Sequence, residues 1–319
     1  MPAPLLLVDV PWLLYRSFFA LPKSIVGTEG KPVNALLGTV NAILSVYEGR
    51  LTAQDPRRVV ACMGAEEAAY RVALYPAYHA HREPMPDELR WQWERAPALL
   101  ESLGWLAASS AELEADDVMF SFARVEEESG GSALIVSGDR DMFAAVSERV
   151  SVVELGKGGK LGLIGPEQVR ERYGVEPEQV ADFIALRGDP SDGLPGAPGI
   201  GAKTAAELLN AHDTLEALLE AAGAAADDRR TNAGESAPVA AASELADAST
   251  SAPALTIRPR VAATLRDNEQ LLRTFARVAT LQRIDVDAPP DRSTDYAGGA
   301  QAASDLGMTR LAARLRGMA

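Results

Sequence analysis

The chain has 319 residues, 47% hydrophobic and 24% charged, enough for one large domain or two smaller ones with real cores and ordinary for a soluble globular protein. Its net charge of −14 argues at face value against a nucleic-acid partner, unless divalent cations cancel part of the carboxylate field. One cysteine, Cys62, excludes an internal disulfide framework and suits a reducing compartment, while 26 Arg against 5 Lys follow a GC-rich coding bias rather than a function.

In chain order, "MPAPLLLVDVPWLLY" is apolar but has no basic leader, and Asp9 interrupts it. It reads as a core strand (4–8) and its continuation, not a signal peptide or membrane span, so a cytoplasmic location is expected. Similar runs rich in Val, Leu and Ile recur at 58–62 ("RVVAC") and 133–137 ("ALIVS"). Helical patterns at 33–48, 87–103 and 115–128 separate them. Apolar strands alternating with helices predict an α/β domain with a mainly parallel sheet, buried on both faces. Residues 151–165 read as a hairpin at the sheet edge, closed by a Gly/Lys turn. Beyond 165 the pattern is helical, punctuated by "GDPSDGLPGAPGIGAKT" (188–204). Residues 221–253 contain one Leu, one Val and no aromatic residue, too little apolar surface to offset ordering entropy. A disordered or weakly helical insertion is expected there. Helical pattern resumes at "RPRVAATLRDNEQLLRTFARVATLQR", and a short amphipathic helix, "MTRLAARLRGM", closes the chain.

Carboxylates gather at strand ends and at one helix start. Asp9 follows "LLLV", Asp139 and Asp141 follow "ALIVS", and Glu114, Asp116 and Asp117 crowd into "ELEADDV". Asp189 and Asp192 lie in "GDPSD". Each group alone has a bland explanation, since acids before a helix cap it and favour its dipole. Together they make an all-oxygen set of eight that suits Mg²⁺ or Mn²⁺ and disfavours zinc. Two such ions about 4 Å apart activate water and stabilise a leaving oxygen in phosphodiester hydrolysis. "PGIGAKTAAELL" is not a Walker A loop, because Gly and Lys are not adjacent and no strand precedes it. It fits a helix–hairpin–helix in which glycines let the backbone approach a phosphate, or an αα turn with no ligand. Residues 70–96 interleave Arg71, His79, His81 and Arg82 with Tyr75, Tyr78, Trp91 and Trp93. Such a mixture holds phosphates and stacks bases, although the two tryptophans read better as inward packing.

"LLLVD…YRSFFALP", "KPVNALLG", "YPAYHAHR", "ELEADDV", "SGDRDM" and "LRGDPSDGLPGAPGIGAKTAAELL" resemble the 5′ nuclease (flap endonuclease) superfamily over roughly residues 4–290. Nearest are the N-terminal 5′→3′ exonuclease domain of bacterial DNA polymerase I and its free-standing homologues. The resemblance implies a PIN-like α/β domain over 1–178 and a helix–three-turn–helix DNA-binding region over 179–290, interrupted at 221–253. A tail with a short helix follows over 291–319. It implies that Asp9, Glu114, Asp116 and Asp117 serve a first metal site. Asp139, Asp141, Asp189 and Asp192 would serve a second, partly through water. Arg82, with His79 and Arg71, would act on the scissile phosphate. Gly199, Gly201, Lys203 and Thr204 would hold the DNA backbone, with K⁺ at the hairpin, and Arg16 and Tyr78 would also touch DNA.

Three departures stand out. Met63 occupies the place after "RVVAC" where the family usually has an aspartate, with Glu66 and Glu67 the nearest replacements. His79 replaces a lysine and carries that charge only when protonated, and Val10 replaces a glycine. The expectation is a monomeric, stand-alone nuclease dependent on Mg²⁺ or Mn²⁺, acting without sequence preference on DNA 5′ ends, flaps and nicked duplexes and on no membrane. The rival reading is a DNA-structure-binding protein of the same fold that cleaves weakly or not at all. A PIN-domain ribonuclease fits less well, because that simple fold lacks the hairpin motif.

Overall fold

The computed structural model describes residues 3–49, 51–52, 54–234 and 257–319. They form two compact units, Met1–Val169 with Leu281–Ala319, and Arg170–Thr280. In the first unit, β1 (Leu5–Asp9), β2 (Arg58–Met63), β3 (Leu106–Ser109), β4 (Ala133–Val136), β5 (Val150–Leu155) and β6 (Leu161–Ile164) make one sheet in the order β3-β2-β1-β4-β5-β6. The first five strands run parallel, and β6 returns antiparallel on β5, the hairpin expected at the edge. β3 escapes the sequence pattern because "LAAS" is short and only half-buried.

Every residue of β1, β2 and β4 is buried, so helices must cover both faces. Alternation sorts the side chains. Leu6, Val8, Val59, Ala61, Met63, Leu134 and Val136 enter one core with α1 (Val10–Ala20), α2 (Asn34–Glu48) and residues further along the chain. Two short helices follow β2, α3 (Ala69–Leu74) and α4 (Asp87–Trp93). The helical pattern of 87–103 is broken between α4 and α5 (Ala96–Ser102), where Pro97 in the first turn of α5 starts a new helix. Trp91 and Trp93 pack against the apolar core, as expected. On the opposite face, with Leu5, Leu7, Asp9, Val60, Cys62 and Ile135, α6 (Ala115–Glu128) packs over β1, β2 and β4.

α7 (Pro166–Tyr173) leads into the second unit, a helical assembly of α8 (Val180–Arg187), α9 (Ala202–His212), α10 (Leu215–Gly234), α11 (Pro259–Asp267) and α12 (Glu269–Ala279). Its core includes Phe183, Leu209, Leu218, Leu265, Leu272 and Phe275. The segment expected to be disordered or weakly helical is helical through residue 234, as the continuation of α10. Leu215, Leu218, Leu219 and Ala222 bury one stripe of that helix and anchor it. The remainder of that expectation, 235–253, lies outside the described residues.

After α12 the chain returns to the first unit and ends in α13 (Tyr296–Asp305) and α14 (Thr309–Arg316). Met308, Leu311 and Leu315 join the sheet's apolar core, so this tail is part of the unit's interior. α13, "YAGGAQAASD", carries too few large apolar residues to announce itself in sequence. Among the described residues, no helix is long and apolar enough to cross a membrane.

Candidate functional site

Asp9 ends β1 and caps α1. Its Oδ1 accepts from the Trp12 amide at 2.9 Å and its Oδ2 from the Ser137 hydroxyl at 2.6 Å. Ser137 follows β4 directly and accepts from the Asp139 amide at 3.0 Å, while Asp139 Oδ1 accepts from the Asp141 amide at 2.9 Å. One hydroxyl therefore ties the ends of two neighbouring parallel strands. Ser137 was not singled out in the sequence, although its position between an apolar strand and "GDRD" was the available signal.

The start of α6 supplies the other acids. Glu114 and Asp117 form a reciprocal capping box, which explains in part why acids concentrate there. Asp117 is fully buried and accepts a two-pronged bond from Arg71 on α3, at 2.9 and 2.8 Å. It also accepts from the Gln282 amide at 2.7 Å. Glu114 accepts from the Ala68 amide at 2.8 Å and from the Tyr78 hydroxyl at 3.0 Å, and Arg71 lies 3.0 Å away.

Among the described residues, no cation in contact compensates Asp9 or Asp116 in this way. Burial, above all, pushes the Asp9 carboxyl up to about 6; the bonds from Ser137 and Trp12 oppose this and Asp139 adds to it. Burial also drives Asp116 well above the usual carboxylate range, reinforced by the charges of Asp139, Asp9 and Glu114 and only partly relieved by Arg71. Asp117 is raised by burial too, but Arg71 and the Gln282 amide pull it back. Burial works against the Arg71 cation, yet Glu114 and Asp117 outweigh it and its pKa moves up. Asp9 and Asp116 thus both feel the charge of Asp139, and Asp117 is held in an ion pair with Arg71. An all-carboxylate set matches hard divalent cations in donor chemistry. Among the described residues, no three Asp, Glu, His or Cys side chains are arranged so that they could hold an ion as they stand.

The basic candidates differ in access. Arg71 and His79 are buried, at 4% and 2% exposure, so neither presents a cation to solvent as the resemblance implied. His79 has φ 54° and stacks on Tyr78 at 3.8 Å, while Tyr78 is occupied by Glu114. Arg82 is exposed, as is Arg16 on α1, whose guanidinium lies 5.6 Å from the centre of the Trp12 ring.

The strand β2 contributes no acid, for reasons the sequence did not disclose. Asp9 pairs in register with Cys62, so Cys62 shares its face and Met63, one residue on, points to the other. Met63 is 5% exposed in the apolar core, which corrects the expectation that it occupies a metal-ligand position. Gly64 follows on the Asp9 side, but a Cβ there would lie 2.5 Å from the backbone of Leu113 and Glu114. The start of α6 therefore sits where a side chain at residue 64 would be. Glu66, weighed as a substitute, faces Arg90 at 3.5 Å.

The second unit holds the remaining candidates. Asp189 accepts from the Ser191 amide at 2.8 Å and from its hydroxyl, and pairs with Arg187 at 3.3 Å. Asp192 is 8% exposed. Gly199, at φ 77°, needs glycine for its backbone. Gly201, at φ −90°, does not, and among the described residues nothing lies within 4 Å of where its Cβ would be. It precedes the N-terminus of α9 without a side-chain cap. Lys203 has a side chain 91% exposed, and Thr204 is half-buried.

Residues 4–174 match the 5′-3′ exonuclease N-terminal resolvase-like domain, and residues 175–296 match the 5′-3′ exonuclease C-terminal SAM fold. The chain belongs to the 5′-3′ exonuclease family. A 5′-3′ exonuclease of Mycobacterium tuberculosis is 40% identical over 252 residues, covering 72% of this chain and 76% of that one. DNA polymerase I of Deinococcus radiodurans is 38% identical over 223 residues, 70% of this chain but 22% of the polymerase. The bacteriophage T5 D15 flap endonuclease, solved with DNA and metal ions, shares the fold at TM-score 0.62 and 14% identity, covering 99% of this chain and 98% of that one.

Proposed function

We propose that this chain is a divalent-metal-dependent 5′→3′ exonuclease and 5′-flap endonuclease that hydrolyses DNA phosphodiesters in replication or repair. One observation carries the reading: the carboxylates of buried Asp9 and of half-buried Asp116 and Asp139, gathered around the ends of β1 and β4 and the start of α6, where the charge of Asp139 raises both Asp9 and Asp116. Like charges held together in a protein interior cost several kcal/mol, and a cation is the chemical counterpart that offsets the cost. These three, with Asp141 and Glu114, would hold Mg²⁺ or Mn²⁺. Such ions supply an activated water and stabilise the leaving oxygen. Ser137 and the Trp12 amide fix the rotamer of Asp9, and exposed Arg82 offers a cation to a phosphate arriving at the site.

In the second unit, the free amides at the start of α9, bare Gly201 and exposed Lys203 suit a DNA phosphate. Gly199 and Thr204 complete that hairpin, with K⁺ as its monovalent ion. Recognition of this kind addresses the backbone and is insensitive to sequence, so 5′ ends, flaps and nicks are distinguished by shape. Asp189 and Asp192 are assigned to a second cation. The working state is a cytoplasmic monomer.

A second reading, DNA-structure binding with weak cleavage, is favoured by β2, where Met63 faces the core and Gly64 has no room for a side chain. Incubation with 5′-flap and nicked duplex DNA in Mg²⁺, Mn²⁺ or EDTA separates the two. Metal-dependent cleavage that Asp139→Ala abolishes supports the nuclease. Flap binding in every condition with no product supports the second reading.

A further inference from the structure

We infer that Asp117 and Arg71 are positioning residues for the cation site, not a ligand and a catalytic cation: as one unit they aim Glu114 and fasten the returning chain at Gln282. The inference rests on the proposed cation site at Asp9, Asp116 and Asp139.

A carboxylate has two oxygens with about four acceptor positions. Asp117 uses all of them. Its Oδ1 accepts from Arg71 Nη2 at 2.8 Å and from the Gln282 amide at 2.7 Å. Its Oδ2 accepts from Arg71 Nη1 at 2.9 Å and from the Glu114 amide at 3.3 Å. The side chain is 0% exposed, so a cation would reach these oxygens only by displacing a buried guanidinium. Asp116, one residue earlier, projects about 100° away around the helix and has no such cation fork.

Arg71 is equally committed. The guanidinium is a rigid fork, and while it grips Asp117 its Nη1 also lies 3.0 Å from Glu114 Oε1. That oxygen accepts in addition from the Ala68 amide at 2.8 Å and from Tyr78 at 3.2 Å. Glu114 Oε2 is bonded to Tyr78 at 3.0 Å and retains acceptor capacity. Glu114 therefore offers the site one oxygen, and its aim is set by Arg71, whose own orientation is set by Asp117. The anchor spans the chain, since Asp117 and its Arg71 partner lie 46 residues apart and Asp117 and Gln282 lie 165 apart.

Electron paramagnetic resonance titration of the full chain with Mn²⁺ tests this, using wild type, Asp116→Asn, Asp117→Asn, Arg71→Gln and the double variant Arg71→Gln/Asp117→Asn. Asp116→Asn is expected to lose binding. Asp117→Asn and Arg71→Gln are each expected to weaken it about tenfold or somewhat more, the usual effect of removing a group that orients a ligand. The double variant should be no weaker than the worse single one, because the two act as a unit. Loss in Asp117→Asn equal to that in Asp116→Asn overturns the inference by making Asp117 a ligand. Wild-type affinity in both Asp117→Asn and Arg71→Gln overturns it by making the pair merely structural. Absence of Mn²⁺ binding in wild type removes the cation site itself, and the inference with it. If the variants fail to fold, wild-type crystals soaked in Mn²⁺ decide. An anomalous peak at coordination distance from an Asp117 oxygen contradicts the inference, and a peak at Asp116 with Asp117 still on Arg71 supports it.

Discussion

Asp9 and Asp117 are both buried aspartates of the first unit whose carboxyls burial pushes up, yet only Asp117 has a cation in contact to oppose the push. Asp117 is neutralised by Arg71, while Asp9 has only a hydroxyl and an amide and feels the charge of Asp139. An unfolded aspartate titrates at 3.8 and folded Asp9 at about 6. Between these values the native state holds a proton that the unfolded chain has released. Stability of the metal-free protein therefore falls as pH rises through that window and levels off above it. Urea unfolding in EDTA should show Asp9→Asn gaining on wild type by up to about 3 kcal/mol between pH 4 and pH 6.5; a pH-independent difference would sink this account. Met63 gives a second prediction. Its side chain faces the apolar core, so Met63→Asp should cost about 3–5 kcal/mol by burying an unpaired charge, and should restore no cation binding. Tighter Mn²⁺ binding in that variant would place residue 63 in the site after all. The acids themselves were legible because like charges before an apolar run stand out. Which acid is paired was not, because the partner Arg71 is distant in sequence and looked like a surface cation among aromatics.

At the scale of elements, the strands of the sheet centre and the edge hairpin were readable because a sheet covered on both faces demands continuous apolar runs. β3 and α13 were not, since their packing comes from neighbours and not from their own hydrophobicity. α10 shows the same lesson in reverse: one buried stripe near its start carries a helix on into residues whose composition alone suggested disorder or a weak helix. Position on a strand also decides chemistry. The parallel register sets Cys62 beside Asp9, and the pleat then turns Met63 away, a fact of alternation that motif matching passes over. For α9, Gly201 is the informative residue, because its backbone is ordinary and the space around it is empty. Gly201→Ala should melt within a few degrees of wild type, at a cost of about 1 kcal/mol or less. Fluorescence anisotropy should nonetheless show weaker binding to flap DNA. Unchanged binding would mean that no phosphate approaches the start of that helix.

For the whole molecule, a net charge of −14 is unfavourable for a protein that grips DNA, and part of that charge is concentrated in the proposed cation site. Bound divalent cations then serve folding and function together, because they offset a repulsion that the metal-free chain must carry. The first unit is closed by its own C-terminal segment. Arg57 pairs with both Glu126 and Asp291, Arg283 pairs with Glu128, and α14 buries its apolar face in the sheet's core. Such long-range closure is invisible to local sequence pattern, which left 291–319 as a tail. The central claim is that the acids around Asp116 are kept in mutual repulsion for a cation, and thermal melting of wild type and Asp116→Asn at pH 7.5, in EDTA and in Mn²⁺, tests it most directly. The account predicts that Asp116→Asn melts several degrees above wild type in EDTA, and that Mn²⁺ raises the melting temperature of wild type but not of the variant. Equal melting in EDTA with an equal gain in Mn²⁺ would contradict it.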